Sequence, residues 1–188
     1  MTRFFLMFRL LLSVAAPQVT AAELAQEMPE EWGQVTVQTQ GGCLEISGHY
    51  DLIGKVVPET PGFIGTLNYI LQAAIPSVIY QPNVERFAIL ESIQDQQMRV
   101  TIMMGEATRS TIKEVSCERG WLRVEKKGES GAEGNTVRFH TTSLMKKNYD
   151  GDLVVQYSES ANSSTLFGLL KSKSVDRYWL LFPRHRNK

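Results

Sequence analysis

The feature that most constrains the fold is a dense series of short segments in the second half of the chain, in which apolar and polar residues alternate. In the clearest segment Met98, Val100 and Ile102 would share one face of a strand, while Arg99 and Thr101 would point to the other. Strands at such short intervals favour an antiparallel meander. The segments predicted as strands are Phe87–Ser92, Arg99–Met104, Thr111–Cys117, Gly120–Glu125, Thr136–Thr142, Leu153–Ser158 and Tyr178–Phe182.

Turn-forming residues separate these segments. Glu118-Arg119-Gly120 and Asp150-Gly151 predict hairpin turns, and Asp95-Gln96 lies between two strands. The segment Gly128–Asn135 is polar and glycine-rich and is predicted as a hairpin loop. Its first four residues, Gly128–Gly131, superficially resemble a nucleophile elbow, but they lack the flanking strand and helix that such an elbow needs.

A single helix is predicted upstream of these strands. Thr60 would be its N-cap, Pro61 would lie in its first turn, and Pro76 would end or kink it. The predicted fold class is mainly β (α+β): a curved antiparallel sheet or a small lipocalin-like barrel, with this one helix packed on it. The apolar stripe of the helix recurs at steps of three and four residues and consists of Ile64, Leu67, Leu71, Ala74, Ile75 and Val78.

The N-terminus has the layout of a secretory signal. Arg3 and Arg9 are basic, and no acid is present before residue 23. The apolar run Leu10–Ala16 precedes the small residues Thr20-Ala21-Ala22, which signal peptidase accepts. An uncleaved membrane anchor is the alternative, but the uninterrupted run is too short to cross about 30 Å of hydrocarbon.

We therefore expect a periplasmic or otherwise exported protein of the bacterial envelope. Its length of 188 residues suits one domain. The expected organisation is a signal peptide over 1–22, an N-terminal lead-in over 23–42, a β-rich domain over 43–183 and a basic tail over 184–188.

The two cysteines, Cys43 and Cys117, predict one disulfide, because an even number of cysteines in an exported chain indicates pairing. Closing so long a loop would stabilise the fold by roughly 4 kcal/mol. Two free buried thiols are the alternative. A metal site would need two further ligands, and no histidine cluster lies near either cysteine in the sequence.

Charge argues against nucleic acid as a partner. Lysine plus arginine and aspartate plus glutamate number 20 each, so the chain lacks the broad basic field that nucleic-acid binding needs. The last stretch is predicted as a solvated tail, with a weak contact to an envelope or membrane surface as the alternative. Its only acid is Asp176, and its basic residues are Lys171, Lys173, Arg177, Arg184, Arg186 and Lys188.

The histidines are the main candidates for chemistry. His49 and Asp51 would share a face of one strand, a spacing that could hold a metal or orient a general base. No third ligand is near, so a half-exposed polar pair at a strand end is expected. His140 is expected on a sheet surface and His185 in the basic tail. We assign no catalytic residue, no metal ligand and no cofactor, because no nucleophile-elbow, P-loop, dinucleotide-binding or zinc-protease motif is present.

Several aromatic residues late in the chain could form either core or a ligand site. They are expected in the core, but a closed barrel would let some of them line a cavity for a small apolar ligand. These residues are Trp121, Tyr157, Phe167, Tyr178, Trp179 and Phe182.

Four short motifs carry a resemblance to small uncharacterised exported proteins and lipoproteins of proteobacteria. Cys43–Tyr50 resembles their Cys-x-x-Leu-Ser-Gly-x-Tyr opening, and Cys117–Leu122 their second Cys before Gly-Trp-Leu. Asp150–Val154 and the aromatic strand Tyr178–Phe182 are similar as well. The chain lacks their lipidation cysteine after the signal. The resemblance implies a compartment and a two-cysteine layout, not a chemistry.

The function expected from all this is that of a non-enzymatic envelope or periplasmic protein. One alternative is a carrier with a β-barrel cavity for a small apolar molecule. The other is a hydrolase-type enzyme, which would need a pocket that gathers His49 or His140 with an acid.

Overall fold

The computed structural model describes residues 27–36, 45–71, 73, 84–94, 96–132, 135–165 and 170–186. The helical elements are a 3-10 turn at Glu30–Trp32 and one α-helical turn, α1, at Leu67–Ile70. The strands are β1 Gly48–Asp51, β2 Lys55–Val57, β3 Arg86–Gln94, β4 Gln97–Met104, β5 Ala107–Glu114, β6 Ser116–Glu118, β7 Trp121–Ala132, β8 Asn135–Lys147, β9 Leu153–Thr165 and β10 Leu170–Phe182.

The strands form two antiparallel sheets that pack face to face. The small sheet has the order β1-β3-β4-β5, and the large sheet has the order β2-β10-β9-β8-β7-β6. Tyr50, Leu90 and Val100 from the small sheet join Met145 and Val155 from the large sheet in one fully buried cluster. Alternate residues of β1, β3, β4 and β7–β10 thus fill the space between the sheets. The prediction of a mainly β, antiparallel fold is confirmed.

The predicted barrel is wrong for the described part of the chain, because the two sheets remain separate and neither closes on itself. The segment predicted as one strand over Thr111–Cys117 shows why. Its first part belongs to β5 in the small sheet, and its last part belongs to β6 in the large sheet. Val115 lies at the crossing, where its N–H donates to the carbonyl of Gln96. The chain therefore changes sheets here rather than continuing around a barrel.

The predicted helix is largely absent from the residues described. Within the described part of the predicted segment, helical structure is limited to α1, and residues 72 and 74–78 lie outside the described residues. Before α1 the chain is extended, because Thr66 bridges Ile53 and the Gly65 carbonyl accepts from the N–H of Gly54. Ile64, predicted on the buried stripe, is 67% exposed. Pairing with a neighbouring extended segment has displaced the first turns of the helix.

The hairpin at Glu118-Arg119-Gly120 is confirmed. Arg119 and Gly120 have φ values of 51° and 77°, which is the pattern of a type I′ turn between β6 and β7. The loop predicted over Gly128–Asn135 is wrong, because β7 and β8 stay paired as far as Ala132 and Asn135. Strand pairing with a neighbour outweighs the low strand propensity of the glycines.

A second apolar cluster covers the outer face of the large sheet, opposite the core. Val154 and Leu181 point outward there and pack with Trp32 from the lead-in. The Asn148 side-chain amide fixes the lead-in by donating to the Trp32 carbonyl at 3.0 Å. The predicted signal over 1–22 lies outside the described residues and stays a prediction. No helix of the described residues is long and apolar enough to cross a membrane.

After β10 the chain crosses to the small sheet. Residues Pro183–Arg186, which we call the strap, lie along the free edge of β1. Arg184 forms a β-bridge with Tyr50, and the His185 N–H donates to the His49 carbonyl at 2.8 Å. The strap therefore ties the end of the large sheet to the edge of the small one.

Four strands of the large sheet continue past the core and form an extension that we call the arm. β9, for example, is fully buried at Leu153, Val154 and Val155, but from Ser158 onward it is not buried. No described residue of the arm is buried, so both of its faces meet solvent. The arm consists of Lys126–Gly131, Asn135–His140, Ser158–Thr165 and Leu170–Arg177.

Candidate functional site

The most organised polar cluster is built around His185 of the strap. Its Nδ1 lies 2.8 Å from Asp51 Oδ1, and its Nε2 lies 3.0 Å from Glu85 Oε1. The ring stacks on Phe87 at 4.6 Å between centroids, and His49 stacks near the same Phe87 at 5.7 Å. The His185 side chain is only 13% exposed, whereas Asp51 and Glu85 are 46% and 64% exposed. The cluster is thus a nearly buried imidazole between two half-exposed carboxylates.

This arrangement favours the charged imidazolium. Burial alone would lower the pKa of His185, but the hydrogen bonds and negative charges of Asp51 and Glu85 outweigh it and raise the pKa. Both ring nitrogens are engaged, so no lone pair is left for a metal or for a substrate proton. No group of His, Cys, Asp or Glu side chains in the described ranges could hold a metal ion. The cluster acts as an ion-pair lock between the strap and the small sheet.

The residues of this cluster come from segments that are far apart in the sequence. His49 and Asp51 do lie on β1, but Asp51 binds His185, which is 134 residues away in the chain. No local pattern signals that contact. The described part of the predicted solvated tail is not a free tail, because Lys171–Phe182 belongs to β10 and the strap is paired with β1. The side chains from Lys171 to Arg177 are exposed, and residues 187–188 lie outside the described residues.

The other predicted histidine, His140, lies on the outer face of β8. Its Nε2 is 3.2 Å from Glu125 Oε1, and Arg123 bonds Glu125 and Glu118 together. Burial alone would raise the pKa of Glu125, but the hydrogen bond and charge of Arg123 lower it. A carboxylate held ionised in this way is a weak base. The network resembles a surface ion cluster more than an acid–base pair.

The outer face of the arm is rich in cations. The strand registers place Arg138, Asn162 and Lys173 in one row across β8, β9 and β10, with Lys171 in the adjacent row. The arm residues with basic side chains on this face are Lys127, Arg138, Lys171, Lys173 and Arg177. The only arm carboxylate on the same face is Glu129, which bonds Arg138 at 2.9 Å. Lys171 and Lys173 have no ion pair with any described residue.

The inner face of the same arm has the opposite balance. Glu159 and Asp176 point to this side, and Lys126 is the cation there, placed over the ring of Phe139 at 5.6 Å. Strand alternation has thus sorted positive charge onto one face of the arm. On the basic face a depression of about 450 Å³ is lined by Thr136, Arg138, Asn162, Ser164, Lys171 and Lys173, among others.

The aromatic residues predicted to line a cavity lie on both faces of the large sheet. Tyr157 and Phe182 are buried in the core, whereas Trp121 and Trp179 pack on the outer cluster. Phe167 lies outside the described residues. A cleft of about 810 Å³ beside β2 contains none of these aromatics, and is lined instead by residues that include Trp32, Val57, Pro61, Phe63 and Leu181. The alternative of a carrier with a β-barrel cavity stays a prediction, and the described strands form no closed barrel that would hold this cavity.

The predicted disulfide is not tested by the geometry. Cys117 is exposed on β6, and Cys43 lies outside the described residues. The pairing of Cys43 with Cys117 stays a prediction.

No family model, no curated protein and no solved structure matches this chain. The resemblance to small exported proteins and lipoproteins of proteobacteria therefore stays a prediction.

Proposed function

We propose that this chain is a non-enzymatic protein of the bacterial envelope, exported to the periplasm, that docks on an anionic membrane surface through the outer face of its arm. The observation that carries the proposal is the sorting of charge between the two faces of the arm. Lys171, Lys173 and Arg177 point outward from β10, whereas Asp176 between them points inward.

The shape of the arm suits a planar partner. Neighbouring strands lie about 4.8 Å apart, and side chains on one face of a strand repeat about every 6.8 Å. The cations of the outer face therefore form a two-dimensional array that can meet several headgroups together. Each lysine or arginine held near an anionic leaflet contributes about 1 kcal/mol. Each cation contributes a weak attraction, and these contributions add up across the face.

Pairing of two arms is the competing use of this surface, and the charges oppose it. Among the described strands, β2 covers only Trp179–Leu181 of β10, so Leu170–Arg177 presents a free edge. Antiparallel pairing with a second copy centred on Lys173 would place the two Lys173 side chains together. Moving the centre of pairing by one residue, which changes the register by two, would place Lys171 opposite Lys173 or Arg177. Like charges opposite one another destabilise strand pairs, and edge lysines are a common protection against self-association.

The test is binding of the purified mature protein to phospholipid vesicles. We expect it to sediment with phosphatidylglycerol vesicles at low ionic strength and not with phosphatidylcholine vesicles. The K171Q/K173Q variant should bind roughly 30-fold more weakly, since it loses about 1 kcal/mol per charge. Raising the salt from about 0.01 M to about 0.15 M should release the protein, because the screening length falls from about 30 Å to about 8 Å.

A control with the same change of charge separates the face from the net charge. R109Q/K126Q removes two cations, one from the exposed β5 and one from the inner face of the arm. This variant should retain most of the binding. Equal loss in both double variants, or no binding to anionic vesicles at low salt, would contradict the proposal.

A further inference from the structure

The strap joins the two sheets through contacts of two kinds. Backbone contacts are independent of pH: the Asp51 N–H donates to the Pro183 carbonyl at 2.9 Å, and the His185 N–H donates to the His49 carbonyl at 2.8 Å. Side-chain contacts join the ring of His185 to Asp51 and Glu85. Asp51 belongs to β1, and Glu85 lies just before β3. The ring therefore links the strap to two separate segments of the small sheet.

Only the doubly protonated ring satisfies both carboxylates. An imidazolium donates from both nitrogens, whereas a neutral imidazole donates from one and presents a lone pair at the other. That lone pair would face either Asp51 Oδ1 at 2.8 Å or Glu85 Oε1 at 3.0 Å. Loss of one proton thus turns an attractive contact into a repulsive one.

We propose that His185 is a proton-operated clamp: its imidazolium holds the strap on β1, and loss of the ring proton loosens the strap and uncovers the edge of β1. An uncovered strand edge is a site where another extended segment can pair. The clamp is independent of the anionic-surface proposal, because it lies at the opposite end of β10 from Lys171.

Few other charged groups face the ring. β1 contributes Asp51, which contacts the ring, and His49, which stacks on Phe87 as His185 does. The segment before β3 contributes Glu85. On the strap itself Arg184 and Arg186 flank His185. A charge on His49 would oppose the clamp, but His49 stacks on Phe87, whereas both carboxylates are in direct contact with His185. The two carboxylates therefore have the larger effect on the charge of the His185 ring.

The direction of the pH effect follows from the raised pKa of His185. A group whose pKa is higher in the folded than in the unfolded protein stabilises the fold fully below its unfolded pKa, near 6.5 for histidine. This stabilisation is lost as the pH rises through the folded value. The clamp is closed in mildly acidic solution and opens as the pH rises through the raised pKa of His185.

The experiment is amide hydrogen exchange of the full mature chain between about pH 5.5 and about pH 9, corrected for the intrinsic rates. We expect protection of the His185 and Asp51 amides to fall at least about tenfold across the transition, the size of one charge-assisted hydrogen bond. Amides of the core strand β9 should not change. In H185Q the two amides should be weakly protected at every pH, whereas H49Q should keep the transition.

The wild-type chain also provides a direct readout, in case H185Q does not fold. The ring proton resonances of His185 should titrate above about 6.5, the usual pKa of a histidine, and E85Q should move that titration to lower pH. A flat protection profile in the wild type would overturn the clamp. So would a transition that persists in H185Q.

Discussion

The two halves of the large sheet are built from the same four strands but are held together differently. In the core half, alternate residues such as Leu153, Val155 and Tyr157 are buried against the small sheet. In the arm, Ser160 and Asn162 of the same strand meet solvent. The ladder of backbone hydrogen bonds nevertheless runs without a register shift from one half to the other. Pairing continues where burial has ended, so the core anchors strands that extend beyond it.

The core half of the large sheet thus determines folding stability, while the arm presents charged and polar side chains to solvent. The core half contributes apolar burial, the dominant favourable term in folding, while the arm contributes little of it. Side chains of the arm are therefore free to be selected for charge and hydrogen bonding. The arm is the part of the molecule where substitutions should change binding before they change folding.

Reduction of the predicted Cys43–Cys117 disulfide should have the largest effect, and it should act on the core half. Among the described strands, β6 pairs with the first residues of β7, which lie in the core half of the large sheet. We expect reduction to lower the free energy of unfolding by roughly 4 kcal/mol in a denaturant titration. Thiol titration of the unfolded, unreduced protein checks the premise. Two reactive thiols there would show that the crosslink does not exist, and the compartment would have to be argued anew.

A pair of leucine substitutions tests the comparison directly. Leu153 is fully buried, whereas Leu170, in the arm, is 60% exposed. We expect L153A to cost about 2–5 kcal/mol, because it leaves a cavity in the core, and L170A to change stability by less than about 0.5 kcal/mol. Urea unfolding of both variants provides the measurement. Similar losses in the two variants would mean that the arm is part of the stabilising core.

The sequence predicted the core half better than the arm, where it placed the strand Thr136–Thr142 but missed the outer parts of β7, β9 and β10. The omission has one physical reason. Alternation of apolar and polar residues reflects the burial of one face of a strand. The predicted strand Leu153–Ser158 therefore ends about where burial ends, and Tyr178–Phe182 begins about where burial begins. The arm has no buried face, and the glycines at 128 and 131 made part of it look like a loop. Its strands depend on pairing between segments, a non-local term that a local pattern does not contain.

The candidate sites follow the same rule. The basic composition of the last stretch was visible in the sequence, but the face on which Lys171 and Lys173 lie depends on strand register. Local spacing associated Asp51 with His49, whereas the strap brings His185 to it. Residue types and neighbours along the chain were predictable, and contacts between distant segments were not.

Substitutions of two glycines, one in the core and one in the arm, are expected to have the smallest effects on stability. A Cβ at Gly65 would lie 2.6 Å from Val56 Cγ2 and closer still to the side chain of Leu180 in the core. A Cβ at Gly128 in the arm would meet the ring of Phe139, which packs over that glycine from β8. An added methyl group would therefore clash with the filled core at Gly65 and with a half-exposed ring at Gly128.

We therefore expect G65A to cost about 1–3 kcal/mol, the usual range for overpacking a core. G128A should change stability by less than about 0.5 kcal/mol, because Phe139 can swing into solvent and alanine loses less backbone entropy than glycine in a strand. Thermal unfolding of the two variants measures both effects, with F139L/G128A as the control that removes the ring. If G128A proved as costly as G65A, the ring of Phe139 would be fixed in place, and the arm would be as rigidly packed as the core half.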